Sequence, residues 1–87
     1  MEITYSPRAN DELLHWKKTN NTIILKKIRA LIESISETPI EGIGKPEALK
    51  YDLSGHWSRR ITKEHRLVYQ VFDDIILVLS LKGHYEP

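Results

Sequence analysis

The hydrophobic pattern of this chain changes period once, near residue 48, and this change limits the folds that it can adopt. From about residue 7 to residue 36 the apolar side chains follow helical spacing. From Ala48 onward the pattern is typical of strands, first with apolar and polar side chains in alternation and then with an almost wholly apolar run from Ile75 to Leu81. Helices and strands in separate runs favour an α+β domain, in which the helices pack on one face of a sheet. With 87 residues there is room for one such domain, spanning 1–87.

The first half predicts one strand and two helices. Glu2 to Tyr5 is a short, partly β-branched run typical of a strand. Ser6-Pro7 provides a hydroxyl N-cap and a proline at the first helical position, which predicts a helix to about Lys18. After a short break at Asn20-Asn21, a second helix is expected from about Asn21 to Ser36, antiparallel to the first. One face of it is apolar and consists of Ile24, Ile28, Leu31 and Ile35.

The second half predicts four strands with mainly antiparallel pairing. They are expected at Ala48–Asp52, Trp57–Thr62, Arg66–Phe72 and Ile75–Leu81. The complete order is therefore β-α-α-β-β-β-β, with an antiparallel helix hairpin packed on a twisted sheet. Residues 37–46, rich in proline and glycine, form either a simple connection or a functional loop.

Arg60 and Arg66 flank the turn of one predicted hairpin, and their relative position depends on its register. If Thr62 pairs with His65, the two arginines lie on opposite faces of the sheet. If Thr62 pairs with Arg66, they share a face. The sequence leaves both registers open, and a single phosphate site made from both arginines requires the second.

Positive charge is concentrated in one quarter of the chain. The formal net charge is only +1, but residues 45–66 hold six basic and three acidic side chains. Arg59, Arg60 and Arg66 stand near Trp57 in this region, and guanidinium groups with aromatic rings are suited to gripping RNA. We therefore expect an anion to bind here, although a solvated hairpin face would explain the charge equally well.

The chain contains the groups that metal-free RNA cleavage needs. A base must take the proton of the 2′-hydroxyl, an acid must protonate the departing 5′-oxygen, and cations must stabilise the phosphate. Glu47 is a candidate base and His84 a candidate acid. The further candidates, for holding the phosphate or stacking on a base, are Lys50, Arg59, Arg60, Arg66 and Tyr85. Each has an ordinary alternative role as a solubilising surface group, a terminal side chain or a partner in an ion pair.

Several other kinds of site are not indicated. The absence of cysteine excludes disulfides and thiolate metal sites, and the four histidines lack metal-binding spacing. Residues 42–45 do not match a phosphate-binding loop. No apolar run approaches the ~20 residues of a membrane span, and the N-terminus does not resemble a signal peptide. We therefore expect no metal, no cofactor, no membrane association and a cytoplasmic location.

Several segments together resemble the YoeB (Txe/YoeB) family of toxin–antitoxin ribonucleases, within the RelE/ParE superfamily. They are residues 38–39 (TP), 44–50 (GKPEALK), 53–61 (LSGHWSRRI), 64–69 (EHRLVY) and the pair His84-Tyr85. The similarity spans nearly the whole chain. It implies a RelE-like fold and an mRNA interferase that cuts mRNA in the ribosomal A site.

The resemblance also implies roles for particular residues. Glu47 matches the family's general base, His84 its general acid, and Arg66 the arginine that stabilises the transition state. The remaining matches, two phosphate contacts and an active-site tyrosine, are Lys50, Arg60 and Tyr85. The implied products carry 2′,3′-cyclic phosphate and 5′-hydroxyl ends, and no metal is implied.

Partners follow from the same resemblance. Family toxins are inhibited by a YefM-type antitoxin whose disordered tail folds onto the toxin, and homodimers and toxin–antitoxin hetero-oligomers are implied as well. The implied targets are mRNA and the ribosome. A second hypothesis is a non-cleaving binding module, either a ParE-like inhibitor or a decoy that titrates antitoxin. The presence of a matching Glu/His acid–base pair argues against it.

Overall fold

The computed structural model describes residues 1–50 and 55–84. In these ranges the elements are β1 (Glu2–Tyr5), α1 (Pro7–Lys18), α2 (Thr22–Glu37), β2 (Glu47–Ala48), β3 (His56–Arg60), β4 (Arg66–Val71) and β5 (Ile75–Ser80). This order confirms the predicted α+β arrangement. The first strand of the second half is shorter than expected, since β2 has two residues, and positions 51–52 of the predicted strand lie outside the described residues.

Side-chain caps explain where the two helices begin. The Ser6 hydroxyl accepts a hydrogen bond from the Ala9 amide at 3.0 Å, and Pro7 occupies the first helical position. The Asn21 side chain accepts from the Ile24 amide at 3.2 Å at the start of α2. Between the helices Asn20 adopts a left-handed φ of 54°, a conformation that asparagine tolerates well. Neither described helix has the length and apolarity needed to cross a bilayer.

The sheet has the strand order β1-β5-β4-β3-β2. β1 pairs with β5 in parallel, and the other neighbours are antiparallel, as predicted for a mainly antiparallel sheet. The apolar face of α2 packs on one side of this sheet, and burial of each large side chain there contributes ~1.5–3 kcal/mol relative to exposure. The hydrophobic core between the helices and the sheet includes Trp16, Ile28, Leu31, Ile35, Leu67, Tyr69, Ile76 and Val78.

The β3–β4 hairpin adopts neither of the two registers considered from the sequence. Arg60 pairs directly with Arg66, which leaves a five-residue connection at 61–65. The amides of Ile61 and Thr62 both donate to the His65 carbonyl, and the Thr62 hydroxyl accepts from the amides of Glu64 and His65. The longer loop still places both arginines on one face, because directly paired residues of antiparallel strands point the same way.

Candidate active site

Strand register gathers three of the predicted site residues on the side of the sheet that faces away from the helices, here called the open face. Glu47 pairs with Ser58, and Ser58 lies two residues before Arg60 on β3, so these side chains point to the same side. Arg66 joins them through its pairing with Arg60. The opposite side carries the buried residues Leu67 and Tyr69, which pack beneath α2.

The C-terminal segment brings His84 next to the start of β4. The backbone amide of Arg66 donates to the Gly83 carbonyl at 2.9 Å. Gly83 has a left-handed φ of 81°, which glycine adopts without the steric cost that a side chain would impose. His84 follows directly and is exposed. This backbone hydrogen bond therefore brings the chain at His84, the candidate acid, next to Arg66 in the fold.

The Arg66 side chain is ordered by the hairpin loop. Its Nη1 donates to the carbonyls of Thr62 at 2.8 Å, Lys63 at 3.1 Å and His65 at 3.2 Å. Carbonyl partners hold the guanidinium in place without neutralising its charge. Within residues 1–50 and 55–84 the single ion pair is Arg8 with Glu12, so no described carboxylate pairs with Arg66.

Glu47, Lys50 and Arg60 are all exposed. Glu47 lies on the edge strand β2, and Lys50 follows two residues after that strand ends. None of the three forms an ion pair with a described residue. These exposed groups, one carboxylate and two cations on or next to β2 and β3, remain available to an incoming ligand. Tyr85 lies outside the described residues.

Arg59 occupies a different place from its neighbour Arg60, and the prediction that it contacts phosphate is wrong. It is fully buried on the helix side of the sheet. All five of its N–H groups are used: Nε donates to Tyr69 Oη, Nη1 to Ser34 Oγ and the Ile43 carbonyl, and Nη2 to the carbonyls of Thr38 and Glu41. The physical reason is strand alternation, which turns Arg59 inward to the side that Trp57 and Ile61 also face.

The buried guanidinium also acts on Tyr69. Burial raises the pKa of the Tyr69 phenol, and the hydrogen bond and positive charge of Arg59 partly oppose that increase. The phenol donates in turn to the Pro39 carbonyl at 2.6 Å. Arg59 and Tyr69 together fasten the loop that leads from α2 to Glu47.

Comparison with known proteins identifies the family. A family model described as the YoeB-like toxin of bacterial type II toxin-antitoxin systems matches residues 5–85. The chain belongs to this family. Toxin YoeB of Escherichia coli (strain K12) is 51% identical over 85 residues, which cover 98% of this chain and 100% of that toxin.

Solved structures of YoeB toxins have the same fold. The YoeB/ParE toxin from Agrobacterium tumefaciens superposes with a TM-score of 0.93 at 39% identity, covering 98% of this chain and 100% of that one. A YoeB–YefM complex from Staphylococcus aureus contains a chain with a TM-score of 0.87 and 48% identity, covering 98% of both chains. YoeB from the same organism has also been solved as a dimer.

Three residues of this YoeB-like toxin hold the C-terminal segment and were not recognised from the sequence. Glu12 Oε1 accepts from the Leu81 amide at 2.7 Å, and Trp16 Nε1 donates to the Leu81 carbonyl at 3.0 Å. His65 Nδ1 accepts from the Gly83 amide at 2.9 Å. Glu12 and Trp16 are four residues apart on α1 and so share a helix face. Only their spacing was visible in the sequence, and nothing there indicated that the tail packs on them.

Proposed function

We propose that this YoeB-like toxin is a ribosome-dependent endoribonuclease that cuts mRNA in the A site. The observation that carries the proposal is the direct pairing of Arg60 with Arg66 on the open face. Like charges directly opposite each other in a sheet are destabilising, and here no described carboxylate pairs with either of them. An anion such as an RNA phosphate would relieve this repulsion.

The arrangement supports cleavage by the 2′-hydroxyl of the RNA itself. Glu47 takes the proton of the 2′-hydroxyl, and the 2′-oxygen of the RNA then attacks the adjacent phosphorus. The bond from phosphorus to the 5′-oxygen breaks, and His84 gives its proton to the leaving oxygen. The products are a 2′,3′-cyclic phosphate and a 5′-hydroxyl, and the proton count balances between base and acid.

Cations on the same face stabilise the additional negative charge of the transition state. Arg66 is suited to this role because loop carbonyls already hold its guanidinium, so little reorganisation is needed during the reaction. Arg60 and Lys50 are exposed and would contact the phosphates of the bound strand. Tyr85, next to His84 in sequence, is proposed to complete the site.

Exposure of the site supports dependence on the ribosome. Glu47, Arg60 and His84 are all exposed, so they form a surface that a substrate can approach but that does not itself enclose a nucleotide. Correct alignment of reacting groups is worth several orders of magnitude in rate. We propose that the ribosome supplies this alignment by presenting the mRNA, which also places the toxin in the cytoplasm.

The same face is proposed to be the one that an antitoxin covers. A homologous toxin has been solved with YefM, and another structure contains a dimer. For this chain we propose a YefM-type antitoxin and both homodimeric and toxin–antitoxin assemblies. The net positive charge of residues 45–66 would attract an acidic segment of such a partner.

Mapping mRNA 5′ ends on ribosomes exposed to the toxin tests the reaction. Wild-type protein should produce 5′-hydroxyl ends confined to the A-site codon. Glu47→Gln and His84→Gln should each lower the cleavage rate by ~10²–10⁴-fold, because each removes one proton-transfer group while preserving size. Glu33→Gln, an exposed carboxylate on α2, is the matched control and should cleave normally.

Two outcomes would count against this assignment. Full cleavage by both Glu47→Gln and His84→Gln would contradict the assigned roles. Growth arrest by the wild-type protein without any new RNA ends would instead favour a non-cleaving binding module.

A further inference from the structure

Side chains from two separate elements form hydrogen bonds with the backbone of the C-terminal segment. The last residue that they bind is Gly83, directly before the proposed acid. Glu12 and Trp16 of α1 bind both polar groups of the Leu81 backbone, and His65 of the β3–β4 loop binds the Gly83 amide. Terminal residues usually fray unless something ties them down. Glu12, Trp16 and His65 are here called the C-terminal clamp.

His65 holds Gly83 through one defined ring atom. Because the Gly83 amide is a donor, Nδ1 of His65 must accept, which places the ring proton of the neutral imidazole on Nε2. The other constraint on the ring is an edge contact with Trp16, with centroids 4.8 Å apart and planes at 71°. His65 thus has a polar contact with the tail and an apolar contact with α1, and the two can be separated by substitution.

Both polar groups of the Gly83 backbone are fixed. Its amide bonds to His65, and its carbonyl accepts from the backbone amide of Arg66. The Gly83 carbonyl belongs to the planar peptide group that also contains the His84 nitrogen. Fixing that peptide plane sets the direction of the backbone at His84 relative to Arg66.

We propose that His65 is a positioning residue for the reaction, acting through Gly83 to hold His84 beside Arg66. This inference rests on the proposed function. A general acid must come within ~2.6–3.2 Å of the atom that it protonates. A displacement of ~1 Å can cost ~10²-fold in rate. A tail residue meets that requirement only if its backbone is fixed, and the hydrogen bond from Gly83 to His65 is the last one that a side chain makes to the backbone before His84.

Two substitutions separate the acceptor of His65 from its ring. The side-chain oxygen of an asparagine lies the same number of bonds from the backbone as Nδ1 of a histidine, so His65→Asn keeps an acceptor and loses most of the ring. His65→Phe keeps a ring against Trp16 and loses the acceptor. We expect His65→Phe to lower kcat at least tenfold in single-turnover cleavage on programmed ribosomes, with KM unchanged. His65→Asn should stay within about threefold of wild type.

The reverse order would overturn the proposal, because packing alone predicts that His65→Phe is the milder change. Gly83→Ala provides a second route if His65→Phe folds poorly. A Cβ at Gly83 meets no described atom within 4 Å, so the substitution acts only through the φ of 81°. It should also lower kcat without changing KM, and a normal kcat would contradict the proposed role of the fixed backbone.

Amide hydrogen exchange provides a readout that does not depend on activity. The Gly83 amide should be protected in the wild type and in His65→Asn, and should lose protection in His65→Phe. Retained protection in His65→Phe would overturn the proposal. If the wild-type protein cuts no RNA on ribosomes, the proposed reaction fails, and the exchange measurement still decides whether His65 holds the tail.

Discussion

Adjacent arginines in β3 have opposite roles because strand residues alternate between faces. Arg59 points inward and solvates its charge with five neutral oxygens, while Arg60 points outward and is exposed. A buried guanidinium is tolerable only when all its donors are satisfied. The fold meets that requirement with the carbonyls of residues 38, 41 and 43 and the hydroxyls of Ser34 and Tyr69.

Replacing each of these arginines by methionine should separate stability from activity. Arg59→Met leaves several buried acceptors unsatisfied, each at a cost of ~1–3 kcal/mol, so we expect the free energy of unfolding to fall by ~3 kcal/mol or more. Arg60→Met, its matched control, should change stability by less than ~0.5 kcal/mol yet weaken RNA cleavage. Urea denaturation followed by circular dichroism measures the difference. Equal denaturation midpoints for the two variants would contradict the assignment.

How far the sequence predicts single residues depends on what sets their environment. Alternation places Arg59 with Trp57 and Ile61, and that signal was sufficient to predict an inward side chain. The clustering of positive charge in the sequence instead favoured a phosphate contact for Arg59, because clustering along the chain does not show which face of the sheet each arginine occupies. The carbonyls that accept hydrogen bonds from Arg59 belong to a loop more than 15 residues earlier in the sequence, so no local sequence pattern predicts these contacts.

At the scale of elements, local signals predicted the helices well and the hairpin connection poorly. Serine and asparagine caps mark the helix starts, and the hydrophobic periods distinguish helix from strand. The register of β3 and β4 is set instead by the loop, where Ile61 is drawn into the core and the Thr62 hydroxyl binds two loop amides. These contacts favour a five-residue connection over the shorter turns expected.

The loop between α2 and β2 positions Glu47 and depends on glycine for close packing. A Cβ added at Gly44 would lie 2.5 Å from Leu31 Cδ2 and 3.2 Å from Arg59 Cβ, and φ there is 82°. The Gly44 carbonyl also accepts from the Arg60 amide at 2.7 Å. Gly44 therefore fixes the position of the loop relative to β3, three residues before the proposed base Glu47.

Gly44→Ala should disturb both stability and the position of Glu47. A left-handed φ costs an alanine ~1–2 kcal/mol, and the clash with Leu31 adds to this cost. Gly55→Ala is the matched control, since φ is 90° but a Cβ there meets no described atom within 4 Å. We expect Gly44→Ala to lower the free energy of unfolding by more than Gly55→Ala and to reduce cleavage. Similar losses in both variants would mean that strain, and not packing, limits this loop.

At the scale of the whole molecule, the proposed site is assembled from distant parts of the chain. Glu47 comes from the edge strand, Arg60 and Arg66 from a hairpin, and His84 from a tail that α1 helps to hold. The family resemblance identified these residues together, whereas spacing alone left them as separate candidates. The clamp residues were missed because their roles exist only once the tail has packed on α1.

Net charge is distributed unevenly along the chain, and this distribution predicts how binding to programmed ribosomes depends on salt. Residues 1–44 are balanced, whereas residues 45–66 hold a net excess of three positive charges. Each phosphate contact of a bound single strand contributes ~0.7 to the slope of log K against log salt. Arg60→Ala should therefore reduce that slope by ~0.7 when binding to programmed ribosomes is measured across a salt series. Lys26→Ala, which removes an exposed charge from α2, should leave the slope unchanged. Equal changes in both variants would show that net charge, and not the open face, governs binding.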